Sequence, residues 1–441
     1  MRVVVVGGGF AGLFTASELI AAGIEDVLVL DQNPVPGGVA QTVQRDGFSL
    51  EPAVGSFNLP HPHLSQILDR AGVAVDTAPA ASKRYVYRSG RLVEIPGSPK
   101  AILAPLVSTP AKLRALAEPF VRQGGASDET LASFCRRRFG ADAGHLLAWL
   151  MASGVYAGDP DKLSASAAFP SLTLLEQEAG SVVRGGLRAR RRRPDGVPGS
   201  RVHTPVGGMV AMADAIVTSL EDRYRPAFTA SVVRPHPSGW VVEGVGELFA
   251  DAVVLATHPE SAAGLVDSEL ATHLGRAVSA PVVTVGLGGS GESPLPSGFG
   301  ALVGPDNSMA SRGLLFESSY APGRAPTGSW LLKVIAGGAL LPEVATWDDN
   351  RVVAEITAEA VRVLGSQLTP EFTEVVRHRP GIPQYVTGHE GWLAELDGLL
   401  TGRPGLYLTG WGYRGVGLAQ QASDAVRTAA KIAAKSADQL D

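Results

Sequence analysis

Residues 2–12 read RVVVVGGGFAG, and this stretch decides the fold. The valines form a short, unbroken β-branched run, the composition of a strand buried on both faces of a parallel sheet. Three glycines follow, and the pattern after them predicts a helix from about Gly12 to Ala22. A second strand, Val27–Leu30, ends on Asp31. Strand, glycine turn, helix, strand and acid, in that order, make a dinucleotide-binding βαβ unit. Gly7 allows the tight turn, Gly9 lets a pyrophosphate approach the backbone, and Gly12 lets the helix pack on the strand. The helix N-terminus offers free N–H groups and a positive dipole end to phosphates. Asp31 stands nineteen residues after Gly12, where a carboxylate accepts a hydrogen bond from an adenosine ribose hydroxyl. The motif alone does not separate NAD from FAD.

Outward from this unit the chain changes character several times. Residues 33–60 are rich in Gly and Pro and read as an ordered, loop-heavy passage. From Lys83 to about Arg193 the pattern is mostly helical, as over Glu129–Met151, and it closes on the run Arg190–Arg193, read as an exposed loop. An α/β pattern returns over 201–260, with a helix near Gly208–Leu220, short strands near Ser231–Val233 and Trp240–Glu243, and a strand at Asp251–Ala256. Val282–Leu287 and Trp330–Ile335 read as strands and Asp349–Leu364 as a helix. Gly405–Thr409 is the last strand-like run, and Leu418–Lys435 a terminal helix. The expected fold class is α/β. A Rossmann-like dinucleotide domain is built discontinuously from 1–80, 201–260 and 376–441. It is interrupted by two insertions, a helical one over 81–200 and a mixed α+β one over 261–375.

The 441 residues exceed what one compact core organises. A formal net charge of −5 argues against nucleic acid as the main partner. Cys135 is the single cysteine, so no intrachain disulfide is possible. The opening MRVVVVGGG enters a strand directly, without the apolar region and cleavage site of a signal peptide. No run approaches the roughly 18 apolar residues of a membrane span. A cytoplasmic protein is expected, with peripheral contact to the inner face of the membrane and a homodimer left open.

Four further stretches carry a resemblance. Gly37-Gly38 follows Asp31 at the spacing of the second glycine pair of the flavin amine oxidase superfamily, with Val35 where an arginine is usual. Within Gly37–Phe57, GGVAQTVQRDGFSLEPAVGSF resembles a passage lining FAD. Gly154–Gly185 contains AGDP, KLS, AFP and EQEAGSVVRG in order. Gly381–His389 (GIPQYVTGH) and Gly410–Leu418 (GWGYRGVGL) resemble the segments around the C-terminal flavin strand, with Trp411 and Gly412 where a small or polar pair is commoner. Together they resemble the protoporphyrinogen oxidase family over nearly the whole chain. The resemblance implies FAD as cofactor and oxidation of protoporphyrinogen IX to protoporphyrin IX in haem biosynthesis, with O2 as acceptor and H2O2 as product. Coproporphyrinogen III oxidation, oxidation of amines or polyenes, and a non-catalytic protein of the same fold are the alternatives.

The same resemblance implies flavin contacts at Gly7, Gly9, Phe10, Ala11, Gly12, Asp31, Gly37, Gly38, Val39, Val54, Gly55, Ser56, Val232, Gly410, Val416, Gly417 and Leu418. No catalytic acid–base pair is expected, because the cofactor carries the chemistry. A greasy macrocycle with anionic propionates calls for an apolar pocket rimmed by arginine. Lys83-Arg84-Tyr85 resembles the segment whose arginine meets a propionate, which implies that role for Arg84; a plain surface arginine is the other reading. Gly154 corresponds to a glycine near the reacting edge; a helix terminator is the other reading. One matched arginine favours protoporphyrinogen IX, unless Arg184, Arg188 and Arg190–Arg193 fold over the pocket.

Other residues read as structural. Cys135 reads as packing. His61 and His63 lack neighbours at metal spacing, and no metal is expected. His203, His258 and His389 read as local hydrogen-bonders.

Overall fold

The computed structural model describes residues 1–95, 104–125, 127–192 and 201–438. Arg2–Val6 pairs in parallel with Asp26–Leu30 on one side and Ala252–Leu255 on the other. Tyr224–Arg225 and Leu406–Leu408 extend this to five parallel strands. The alternation of the valines explains why both faces are covered. Val3 and Val5 pack against the helices Phe10–Ala21, Gly208–Ser219 and Leu418–Asp438. Val4 and Val6 pack beneath Trp240 and Val242 of an antiparallel meander, with Leu270 and Leu396 from two further helices. Each such side chain contributes roughly 1.5–3 kcal/mol by leaving water.

A second sheet has seven strands in the order Phe372–Pro383, Ser279–Ser290, Ser329–Gly337, Ser311–Leu315, Gly300–Val303, Arg84–Arg88 and Arg91–Ile95. All neighbours are antiparallel except Gly300–Val303 with Arg84–Arg88. One face buries Val285, Leu332 and Val334 against Val352 and Ile356 of the helix Asp349–Leu364. The other face turns toward the five-stranded half. Two kinds of sheet from interleaved chain segments are the α/β architecture expected from the sequence.

Three expectations need correction. The block from Lys83 opens on a β-hairpin rather than a helix. Ser89 and Gly90, with φ of +50° and +72°, form a tight turn of the kind that matches strand twist, and Arg84–Arg88 alternates inward and outward. The arginine run is not a loop. Arg190 and Arg191 end the helix Val182–Arg191, where cations complement the dipole, Arg192 follows it, and Arg193 lies outside the described residues. Phe372–Pro383 crosses the expected boundary at 376 as one strand of the seven-stranded sheet.

The two halves are locked by buried charge. Glu51, Glu317, Arg324 and Lys333 are each 0–4% exposed. Arg324 Nη1 donates to Glu51 Oε1 at 2.5 Å, and the same oxygen accepts from Thr42 Oγ1 and the Met209 N–H, each at 2.9 Å. Lys333 Nζ pairs with Glu317 Oε1 at 3.0 Å and donates to the carbonyls of Glu51 and Ala53 at 2.8 and 3.2 Å. Tyr320 donates to Glu317 at 3.0 Å, and Arg324 reaches the Gly55 carbonyl at 3.3 Å. The Glu51–Gly55 passage is thereby fixed on the side of the sheet that faces the five-stranded half. Removing one partner strands a buried charge, a cost of about 3–5 kcal/mol. Glu317→Gln is expected to lower the thermal unfolding midpoint clearly, and Glu317→Gln with Lys333→Met to recover part of the loss. An unchanged midpoint in the single variant would show that the cluster holds nothing.

Candidate functional site

The glycine loop is built around Asp31. The Gly8 N–H donates to Asp31 Oδ2 at 2.5 Å, and the Asn33 N–H to Oδ1 at 2.7 Å. A Cβ on Gly8 would lie 2.8 Å from Asp31 and from the Tyr224 ring, so the middle glycine is what admits the acid beneath the loop. A Cβ on Gly12 would stand 1.9 Å from the Gly7 carbonyl oxygen, which no side chain tolerates. Gly9 differs: its Cβ would meet only Gly38 Cα, at 3.8 Å. That side of the loop is open. Asp31 therefore holds the loop first, and its remaining lone pairs are what a ribose can use.

The distant flavin segments of the sequence converge here. The Gly37 N–H donates to the Gly8 carbonyl at 2.9 Å, and Gly37 bridges Gly9. Gly410, at φ +120°, sits against Ala11, and Asp424 Oδ2 accepts from Thr409 Oγ1 at 2.9 Å and from the Gly410 N–H at 3.3 Å. Leu418 and Val54 pack into the same core as Phe10. Helix Phe10–Ala21 starts without a side-chain cap, so its first N–H groups stay available to an anion. Tyr224 Oη and Thr257 Oγ1 are buried beside the loop with no hydrogen-bond partner among the described residues. Open space above Gly9, unspent N–H groups and orphaned hydroxyls fit the pyrophosphate and ribose of FAD.

The closing motif is held by a residue that sequence reasoning missed. Tyr385 Oη donates to the Trp411 carbonyl and accepts from the Gly415 N–H, both at 2.6 Å, and its ring stacks on His389 at 4.0 Å. Val416 packs against the helical cluster beside Tyr385, and a Cβ on Gly417 would collide with Gln420. Gly55 folds over Glu51, and Ser56 is half-buried. Val39 is exposed, and Val232 begins the meander with its side chain partly in solvent. The histidines are local hydrogen-bonders: His203 to the Arg201 carbonyl, His258 to Ser279, His389 to the Tyr413 carbonyl. Burial drives the pKa of His258 down to about 4. His61 caps the helix Pro62–Arg70. Burial pushes the Cys135 thiol up to about 12, so it packs and does not react.

On the sheet side, Arg84 begins its strand, exposed, with its guanidinium 5.7 Å from the Phe299 ring centroid. Tyr87 points into the core, so Arg84 and Val86 share the opposite face. The register sets Gly300 beside Arg84 and Leu302 beside Val86, and Leu302 Cδ1 lies 3.2 Å from a Cβ placed on Gly154. Arg84 and Gly154 thus border the same face of the sheet. Gly154 sits inside a π-helical turn, Ala152–Tyr156, and the chain leaves it at Ala157 with φ +44°; it is not the terminator. Such turns recur at functional sites.

Arg312 lies on the same side and was not read from the sequence, where it stands alone between Ser311 and Gly313 without a motif. It is 6% exposed. Its Nε donates to the Gly337 carbonyl at 2.9 Å and its guanidinium lies 5.9 Å from the Trp149 ring centroid. Its two terminal nitrogens have no hydrogen-bond partner among the described residues. Burial lowers its pKa, against the pull of Glu359 and Glu343.

Comparison with known proteins gives the lineage of this arrangement. Residues 10–433 match the family described as flavin containing amine oxidoreductase. A chloroplastic protoporphyrinogen oxidase of Oryza sativa subsp. japonica is 30% identical, over 97% of this chain and 87% of that protein. A coproporphyrinogen III oxidase of Bacillus subtilis (strain 168) is 28% identical, over 95% and 94%. A crystal structure from Exiguobacterium sp. 255-15, provisionally named a protoporphyrinogen oxidase, superposes with a TM-score of 0.83 at 22% identity, over 98% of this chain and 99% of that one. The match to the family model spans the glycine helix, the seven-stranded sheet and the closing motif, and the chain belongs to the flavin containing amine oxidoreductase family, with FAD as its cofactor.

Proposed function

We propose that this flavoenzyme oxidises a porphyrinogen to the corresponding porphyrin in haem biosynthesis, with dioxygen as acceptor and hydrogen peroxide as product. The observation that carries this reading is the sheet face shared by Arg84, Leu302 and Gly154, set beside the clamped Glu51–Gly55 passage. It offers an apolar floor, a cation at the rim and backbone close to the flavin segments, which suits a flat apolar ring with propionates. The names of the rice and Bacillus relatives point to the same substrate class. FAD, when bound, supplies the two-electron oxidation. The protein's own part is to seat the macrocycle, pair its carboxylates and keep bulk water from the reacting edge. Conversion to the aromatic porphyrin removes six electrons, so three dioxygen molecules become three of peroxide. The sequence favoured protoporphyrinogen IX on the strength of Arg84 alone. Coproporphyrinogen III is a second reading, and Arg312, whose two terminal nitrogens have no hydrogen-bond partner among the described residues, favours it.

Purified protein supplied with a porphyrinogen is expected to release peroxide and fluorescent porphyrin in a ratio near three to one. Porphyrin formation without peroxide would rule out dioxygen as the acceptor. Gly9→Val places a side chain in the open space above the loop, and the expected product is a folded, colourless protein that FAD does not restore. Retained yellow flavin would move the pyrophosphate elsewhere. Arg84→Ala removes a charge-assisted bond worth roughly 1.5–3 kcal/mol, a drop in kcat/KM of about 10- to 100-fold with FAD content unchanged. Arg84→Lys keeps the charge but not the fork and is expected to recover part of it. Wild-type kinetics in Arg84→Ala would place the anchor elsewhere.

We also infer peripheral membrane contact through the helical insertion. No helix among the described residues is long and apolar enough to cross a membrane. Phe120 is 85% exposed, with Arg184 stacked on it at 5.8 Å, and Val183 and Leu187 lie exposed one turn apart on the arginine-rich helix. Apolar side chains among arginines are the composition of an interfacial helix. Co-sedimentation with phosphatidylserine vesicles is expected to weaken with salt and in Arg188→Ser with Arg191→Ser, at about 1 kcal/mol per charge. Equal recovery with and without anionic lipid would dismiss the contact.

A further inference from the structure

We propose that Arg312 is a second carboxylate anchor of the porphyrinogen site, opposite Arg84, and that it selects a tetrapyrrole with propionates on both edges, coproporphyrinogen III, over protoporphyrinogen IX. This rests on the porphyrinogen reading given above.

Three observations carry it. First, Arg312 is a preset donor. The bond from Nε to the Gly337 carbonyl and the Trp149 ring against its plane fix where the fork points. Trp149 is itself fastened, its Nε1 donating to the Val303 carbonyl at 2.9 Å. Second, the terminal nitrogens are unspent, on a side chain only 6% exposed. No carboxylate lies within ion-pair distance of Arg312 among the described residues, although Glu359 and Glu343 act on it from farther away. A largely buried guanidinium with two free nitrogens gains a charge-assisted pair from an anionic ligand. Third, it faces the right space. The strand bulges between Ser311 and Gly313, and Gly313 packs against Leu302, the residue that also touches Gly154. Trp149 belongs to the helix that continues into the Gly154 turn.

The separation matters as much as the chemistry. Arg84 lies level with Gly300, which pairs with Leu315. Arg312 is three residues along from Leu315 and two strands across from Arg84. At about 3.3 Å per residue and about 4.8 Å per strand, the two Cα atoms stand roughly 14 Å apart. That span places them at opposite edges of a bound macrocycle rather than on one. Protoporphyrinogen IX has its two propionates on adjacent rings and vinyl groups on the other edge. Coproporphyrinogen III has a propionate on every ring. A vinyl group against Arg312 leaves the guanidinium unpaired, whereas a propionate completes it. Selection then comes from the penalty on the wrong edge as well as from the bond to the right one.

The test compares kcat/KM on the two porphyrinogens for the wild type, Arg312→Gln and Arg312→Lys, with FAD content measured for each. The wild type is expected to prefer coproporphyrinogen III. Arg312→Gln is expected to lose roughly 10- to 100-fold on that substrate, chiefly in KM, and to gain on protoporphyrinogen IX as the penalty on its vinyl edge is relieved, so that the preference shrinks or reverses. Arg312→Lys is expected to fall between. Should Arg312→Gln lose FAD, a binding titration of wild-type protein decides: coproporphyrin III is expected to bind at least tenfold tighter than its tetramethyl ester, and the margin to shrink in Arg312→Lys. Equal losses on both substrates with FAD retained, or wild-type preference for protoporphyrinogen IX, would overturn the proposal and leave Arg312 as a packing residue. A wild type that oxidises neither porphyrinogen would sink the functional reading itself, and this proposal with it.

Discussion

The buried contact between Glu51, Arg324, Glu317 and Lys333 is the constraint on which the molecule's two halves depend. Two carboxylates and two cations leave water there, at a cost of several kcal/mol per ion that mutual attraction repays only with good geometry. The geometry comes from backbone. The carbonyls of Glu51, Ala53 and Gly55 all accept from the two cations, so the charges are spent on holding a loop. Met209 adds the start of a dinucleotide-side helix to the same carboxylate. An apolar contact of equal volume gives comparable stability but no such register. What this register secures is the seating of Glu51–Gly55 between the glycine loop and the seven-stranded sheet.

The dinucleotide side follows a parallel logic with backbone alone. Asp31 pulls the Gly8 N–H inward, Gly12 brings the helix onto the strand, and Gly9 is left with open space. Asp424 and Tyr385 do for the closing motif what Asp31 does for the first. The site is a junction of main-chain segments, each tied by one buried side chain. On the proposed reading, specificity falls to the few side chains on the sheet face that carry charge.

Much of this was legible because it is local. A run of valines into glycines, an acid at the end of the next strand and a second glycine pair are patterns with fixed spacing, and their physical jobs follow from sterics. The helix Asp349–Leu364 shows its period openly and ends where expected, at a glycine with φ +67°. The hairpin Arg84–Ile95 was missed because its turn is Ser-Gly and its strands are five residues each, embedded in a helical neighbourhood. The arginine run misled because composition does not say which end of a helix it occupies. Lys333 and Glu317 could not be paired from sequence, since neither differs locally from a surface residue. Arg312 is the extreme case. Its meaning comes from Trp149 and Gly337, 163 residues before it and 25 after it in the chain, and from what fails to touch it.

The central claim is that this flavin takes electrons from a porphyrinogen. Its most direct test is an anaerobic titration of the flavin absorbance with porphyrinogen, alongside a primary amine as the substrate of the wider family. The account requires bleaching by porphyrinogen at one molecule per three flavins, with porphyrin appearing in step, and no response to the amine. A flavin that stays oxidised with porphyrinogen, or that is bleached by the amine instead, would contradict it.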